Sequence, residues 1–190
     1  WPRTSVAQPA WCGIAKSFML FFILSFFVFL AAPAVVLAQN PPPVVLDIPR
    51  VTHPPQFEDF LGMKPPAELQ GKLARVTGFL QRQPKDGEPV TQRTEVYVGY
   101  DDSNLYAFFI CFDSDPEGIR ARMNPRGNTG DDDWVHIVLD TFNDQRRAYM
   151  FGSSPKGIQW DALWTEGQGG DAAYDTLYYS RGALTGQGYV

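Results

Sequence analysis

The sequence predicts an all-β fold, an antiparallel β-sandwich of immunoglobulin-like or jelly-roll-like kind. Three observations predict it. From residue 73 onward the apolar residues recur with period two rather than 3.6. Turn signals rich in Gly, Pro, Asn and Asp punctuate these runs every eight to twelve residues, the spacing of short sandwich strands. With 17 Gly and 16 Pro in 190 residues, the composition also favours turns over long helices.

Residues 18–38 (FMLFFILSFFVFLAAPAVVLA) are almost wholly apolar, with Lys16 just before them and Val36-Leu37-Ala38 at their end. That order of charge, apolar run and small-residue site reads as an export signal ending at residue 38. The length would also suit a membrane anchor, but Pro33 and the Ala-rich end favour cleavage. Either reading sends the chain out of the cytoplasm, to the periplasm, outer membrane or cell surface. Residues 1–38 are therefore set aside as leader, with no fold argument resting on residues 1–17. Trp1 is not an initiator, and Met19 is one candidate start.

Residues 39–66 form a Pro-rich, extended lead-in, in which Phe57-Glu58-Asp59-Phe60-Leu61 has room for one helical turn before Pro65-Pro66. The sandwich is expected over residues 67–190. Residues 73–80 read as a strand and Pro84-Lys85-Asp86-Gly87 as a turn. The runs TEVYVGY (94–100) and LYAFFICF (105–112) flank Asp101-Asp102-Ser103-Asn104, a hairpin signature. The second of them is apolar on both faces, which places it centrally in a sheet. Residues 116–122 are expected as a short helix, with Asp115 as cap and Pro116 in the first position. Residues 135–139, 148–152 and 158–163 then read as consecutive strands, and 175–183 as a further one. Gly186-Gln187-Gly188 turns into a last strand that has barely begun at Val190, so an unpaired edge is expected.

The net charge of −5 becomes more negative once Arg3 and Lys16 of the leader are set aside. Such a domain repels phosphate backbones, so nucleic acid is excluded as a partner class. Outside the leader Cys111 is the only cysteine, inside an apolar run, and reads as an inert core thiol. His53 and His136 lack zinc-ligand spacing. Hard cations gather carboxylate oxygens, so Asp131 and Asp132, with Asp113 and Asp115, are candidate ligands of a structural calcium. None follows the EF-hand spacing, and acids at strand ends are more often solvated turn residues.

Trp134, Trp160 and Trp164 lie on neighbouring strand segments, with Tyr174, Tyr178 and Tyr179 close in sequence. Sugar rings lay their C–H faces on such aromatic planes, while Arg, Asp and Gln suit their hydroxyls. Trp160 and Trp164, four apart, share one face of a strand. The alternative is that they fill the core, and the polar neighbours Gln159 and Asp161 favour exposure of Trp160. Arg146 and Arg147 point to opposite faces, so at most one serves a given site. Paired carboxylates, with Asp161 and Glu166 nearest the aromatics, would be needed for glycoside hydrolysis. No nucleophile elbow, phosphate loop, dinucleotide fingerprint or Cys–His arrangement occurs.

These segments carry a resemblance. Phe79-Leu80-Gln81-Arg82-Gln83-Pro84 with Asp86-Gly87 are part of it. So are Arg93-Thr94-Glu95-Val96 with Tyr100-Asp101-Asp102, and the run from Leu105-Tyr106 to Asp113. Asp132-Asp133-Trp134-Val135, Leu139-Asp140-Thr141-Phe142, Asp144-Gln145-Arg146-Arg147-Ala148-Tyr149 and Gly157-Ile158-Gln159-Trp160-Asp161-Ala162 complete it. Over roughly residues 44–190 the chain resembles the family 9 carbohydrate-binding-module-like domain that opens a group of exported bacterial proteins, whose later region looks like an outer-membrane β-barrel. The resemblance implies a sandwich that binds xylan- or cellulose-type polysaccharide through aromatic rings and polar contacts, with structural calcium. It also implies a role in carbohydrate catabolism and an association with the barrel of the same chain. Trp134, Arg147, Trp160 and Trp164 are the expected sugar-binding residues. His136 departs from the pattern, standing where such strands commonly carry an acid. A part of a glycoside hydrolase, and a plug or gating domain of the barrel, are the alternatives.

Overall fold

The computed structural model describes residues 45–128 and 130–190. The leader, the start of the Pro-rich lead-in and Cys12 lie outside the described residues. Two antiparallel sheets make up an all-β sandwich, and the only helical pieces among the described residues are three short 3-10 turns. No helix among the described residues is long and apolar enough to cross a membrane.

The first sheet has the order β1 (Ala74–Val76), β2 (Thr94–Tyr100), β3 (Leu105–Phe112), β9 (Gly188–Tyr189), β8 (Leu184–Thr185). β2 and β3 form the expected hairpin, with Tyr100 opposite Leu105 and Thr94 opposite Cys111. Asp101 makes its turn: one carboxylate oxygen accepts the amides of Ser103 and Asn104, each at 2.8 Å, and the other accepts the Tyr106 hydroxyl at 2.7 Å. β3 is central, paired with β2 on one side and β9 on the other, as its two apolar faces require. Cys111 on this strand is buried, and burial raises its thiol pKa. β1 is shorter than the predicted 73–80 strand because Gly78, at φ 75°, takes the chain out of the pleat.

The core lies on one face of this sheet. Period two sets Tyr97 and Gly99 of β2 on the same side as Ile110 and Phe108 of β3. Against them pack Val51, Phe60, Met63 and Leu73 from the preceding segment and Val190 from the end of β9. Phe60 stacks on Phe108 with ring centroids 4.0 Å apart and tilts against Tyr97 at 5.9 Å. Gly99 is required here: a Cβ at that position would lie 2.6 Å from Leu73 Cδ2 and 3.0 Å from Val51 Cγ1. The backbone joins in, since Val51 N–H donates to Tyr100 O and Tyr100 N–H to Pro49 O. Segment 49–63, expected as a lead-in, thus supplies one wall of the core. At the edge of this face the buried Glu95 accepts Arg75 Nη2 at 2.7 Å and the Tyr97 hydroxyl at 2.6 Å, with Arg93 at 3.5 Å.

The second sheet runs β4 (Val135–Leu139), β5 (Arg147–Ser153), β6 (Gln159–Thr165), β7 (Gly169–Asp171). The first three of its strands follow the sequence expectation within one or two residues. Two other expectations are corrected. The helix predicted over 116–122 stops after Pro116–Gly118. The amides beyond it are taken by the acidic run instead: Arg120 N–H donates to Asp133 Oδ2 at 2.9 Å and Arg122 N–H to Asp132 Oδ2 at 2.8 Å. Carboxylates that accept these donors hold the chain extended. The strand predicted over 175–183 joins no ladder. It crosses one face of the second sheet as a strap whose burial alternates residue by residue, as in an extended chain, and side chains rather than a neighbouring strand take up its polar groups.

Candidate functional site

Period two divides the second sheet into two unlike faces. One carries Tyr149, Phe151, Gln159 and Asp161 and lies under the strap. Tyr178 packs edge-on against Phe151 at 5.3 Å and Tyr174 against Tyr149 at 5.6 Å. The Tyr178 hydroxyl donates to Gly152 O and Trp160 O, at 2.7 and 3.0 Å, and burial pushes its pKa up to about 12. Arg126 holds the strap down, with Nη2 at 3.0 Å from Asp161, 2.7 Å from Thr176 O and 2.8 Å from Asp175.

The other face carries His136 and Val138 of β4, Ala148, Met150 and Gly152 of β5, and Trp160, Ala162 and Trp164 of β6. Both faces carry apolar side chains, but this one has no strap over it and is left part-open: Val138 is 55% exposed and Trp164 36%. At one end the rings form a row. His136 stacks on Trp134, with centroids 6.2 Å apart and planes 15° from parallel, and tilts against Trp160 at 5.3 Å. Gly152 makes the row possible, because a Cβ there would come within 2.5 Å of His136 Cδ2 and 3.2 Å of Trp160 O. The flanking rings desolvate part of the imidazole, which keeps an exposed edge, and lower its pKa.

At the other end Trp164 stands between two small cross-strand neighbours, Ala148 on β5 and Gly170 on β7. It borders a groove of about 380 Å³ whose floor is Val138, Ala148 and Met150 and whose rim is Asp140, Gln145 and Arg147. The turn that carries this rim is fixed by two carboxylates. Asp140 accepts the amides of Phe142 and Gln145, at 3.2 and 2.8 Å, and Asp144 those of Arg146 and Arg147, at 2.8 and 3.3 Å. These backbone bonds also hold the Asp140 carboxyl below its ordinary pKa. Among the described residues Arg147 is in no ion pair. Period two sets Arg147, opposite Thr165, toward the Tyr149 side, so it meets the groove only at the rim. The Asp140 oxygens are taken up by their own turn. The aromatic plane and apolar floor are what can bind a ligand with flat C–H faces.

Of the sequence-predicted residues, Trp134 and Trp160 meet through His136, and Trp164 shares its groove with Arg147. Trp160 and Trp164 do share a face, but Trp164 is the more exposed of the two. The polarity of sequence neighbours misleads here: Gln159 and Asp161 face the strap, and what covers Trp160 is the His136 ring across Gly152. His136 and Gly152 were not singled out for the site; the period-two register of 136 with 134 was the available signal. Asp161 points away from both tryptophans, its oxygens taken by Arg126 and by the Thr176 amide at 2.8 Å. It forms no carboxylate pair on the aromatic face.

The expected calcium ligands do not converge. The buried Asp132 carboxylate accepts Arg122 Nε at 2.7 Å, the Arg122 amide and Asn124 Nδ2 at 3.0 Å, which take most of its acceptor sites. Those donors hold its pKa below the usual range. Asp113 Oδ1 accepts the Asp115 amide at 2.8 Å, an ordinary turn bond, and Asp131 is exposed. Among the described residues no three His, Cys, Asp or Glu side chains are grouped to hold a metal ion. The donor set as folded fits an arginine better than a calcium.

No family model matches the chain, and no curated protein or solved structure matches it either.

Proposed function

We propose that this chain is a carbohydrate-binding module that takes polysaccharide of the xylan or cellulose type along the part-open face of its second sheet. The observation that carries the reading is Trp164. A large ring stands part-exposed between Ala148 and Gly170, beside a groove rimmed by Arg147, Gln145 and Asp140. Apolar side chains left open on a sheet face, bordered by planar hydrogen-bonding groups, suit a sugar ring better than they suit water. The resemblance of residues 44–190 to family 9 carbohydrate-binding-module-like domains supports the same ligand class. The row Trp134–His136–Trp160 lies further along that face, which favours a chain of several sugar units over a single one.

Titration calorimetry of the protein against xylo- and cello-oligosaccharides, with and without calcium, tests this. The expected result is heat that saturates and weakens at least about tenfold in Trp164→Ala, the loss of one well-packed aromatic contact. A folded protein that gives no heat with any of these glycans would refute the reading. Unchanged affinity in Trp164→Ala, with binding intact, would remove the groove from it.

A further inference from the structure

We propose that the strap over residues 175–181 pairs with the same segment of a second copy of this chain as a symmetric antiparallel β-ribbon. Three observations carry this, none of them involving the aromatic face.

The first is which edge of the strap is satisfied. On the side of the even-numbered residues, Thr176 N–H donates to Asp161, Thr176 O accepts Arg126, and Tyr178 O accepts Gln159 Nε2 at 2.7 Å. In an extended chain the main-chain groups of successive residues point to opposite edges. Those of Leu177 and Tyr179 therefore point away from Arg126 and Gln159, and among the described residues they take part in no hydrogen bond. That is a strand edge with its donors and acceptors open.

The second is what lies beside that edge. Leu177 is 78% exposed and Tyr179 87%. Both point outward, because the alternate side chains of Tyr178 and Ser180 are spent on the sheet and on Gly157 O. The far end of the strap is held by a close backbone approach, since a Cβ on Gly182 would lie 2.6 Å from Pro155 O. Its extended form is thus already fixed before any partner arrives, which lowers the ordering cost of pairing.

The third is register. A twofold axis through Tyr178 sets Leu177 opposite Tyr179 of the second copy, and Asp175 opposite Arg181, each twice. Leu177 and Tyr179 carry the free main-chain groups, so they fall at the positions that exchange both hydrogen bonds, with the Tyr178 pair as the non-bonded step between them. Opposite charges and paired apolar side chains then face one another across the ribbon, the arrangement an isologous interface needs. A shift of one residue would point the free groups of each copy past those of the other. Asp175 and Arg181 now make solvent-facing ion pairs with Arg126 and Glu58, which cost little to share or exchange.

Sedimentation velocity of the protein over a wide concentration range tests the pairing, together with oxidative cross-linking of a mixture of Leu177→Cys and Tyr179→Cys chains. Dimerisation is expected, weakened about tenfold in Arg181→Asp. Association should return when Arg181→Asp and Asp175→Arg chains are mixed, since each then meets the opposite charge. The cysteine mixture should cross-link faster than either variant alone, the single variants serving as controls for Cys12 and Cys111. Both cysteine positions are exposed, so these chains should fold even where a charge reversal disturbs the strap. A monomer at every concentration, or a dimer whose cross-linking shows no preference for the mixture, overturns the proposal.

Discussion

Phe60→Ala measures whether the segment before residue 67 belongs to the folded unit. Phe60 has no exposed surface, stacks at 4.0 Å on Phe108 and tilts on Tyr97 at 5.9 Å. Truncating a buried Phe to Ala removes its transfer free energy and leaves a cavity, together about 3–5 kcal/mol. The stacked neighbour places this site in the upper half, because a favourable ring pair adds roughly 0.5–1.5 kcal/mol beyond burial. Domains of this size are stable by about 5–15 kcal/mol, so one truncation would remove a large share. With a urea slope of ~2 kcal/mol per molar, the unfolding midpoint falls by about 2 M. Urea titrations followed by far-ultraviolet circular dichroism read this, with Phe142→Ala as the control. Phe142 is 74% exposed, and its truncation should move stability by no more than about 0.5 kcal/mol. A loss below ~1 kcal/mol in Phe60→Ala would show that the segment rests on the sheet without stabilising it.

Gly152→Ala should displace the His136 ring from its place between Trp134 and Trp160, costing about 1–3 kcal/mol in a melt and weakening glycan binding; unchanged values for both would dissolve the aromatic row. Glu95 has a lowered pKa, chiefly through Arg75, so the stability it contributes is fully present above its ordinary value and lost as pH falls through the lower folded value; Glu95→Gln should flatten the acid limb of a stability–pH curve, seen in melts between neutral and strongly acid pH. His136 is lowered by desolvation, so its neutral form fits the fold, and stability should decline as pH drops below the ordinary histidine range; His136→Phe should lose that part of the slope, and an unaltered slope would remove His136 as its source. Arg122→Ala should lower the melting temperature while chelation of calcium leaves it unchanged, because Asp132 spends its oxygens on Arg122 and Asn124; a fall on chelation alone would return the acidic run to a metal role.

The architecture was legible where local chemistry and tertiary packing agree. The β2–β3 hairpin is written in two alternating runs around an Asp-rich turn, and β3 could be placed centrally because both its faces are apolar. The pairing of Trp160 with Trp164 on one face follows from period two alone. Reading failed where a distant group claimed a local donor. Residues 116–122 carry a helix cap and a helix-starting proline, but Asp132 and Asp133 outbid the helix for the Arg122 and Arg120 amides. Residues 175–181 alternate like a strand and are extended, yet Arg126, Gln159 and Asp161 stand where a neighbouring strand would be.

The site divides in the same way. Residue type marked Trp134, Trp160, Trp164 and Arg147 as candidates, because aromatic planes and guanidinium groups are what a polar ring recognises. Which of them is open depends on the volume of residues on other strands. Ala148 and Gly170 leave Trp164 uncovered, and Gly152 lets His136 cover Trp160. The acidic run reads as metal ligands or as a fold signature, and what the fold adds is that Arg122 holds Asp132. Sequence alone determined the all-β class, the strand periods and the chemistry on offer, since these depend on each residue and its immediate neighbours. Tertiary structure alone decided that residues 49–63 wall the core, that Asp132 is spent, and which tryptophan faces solvent. Each of those outcomes is a competition for space or for a hydrogen bond between residues far apart in the chain.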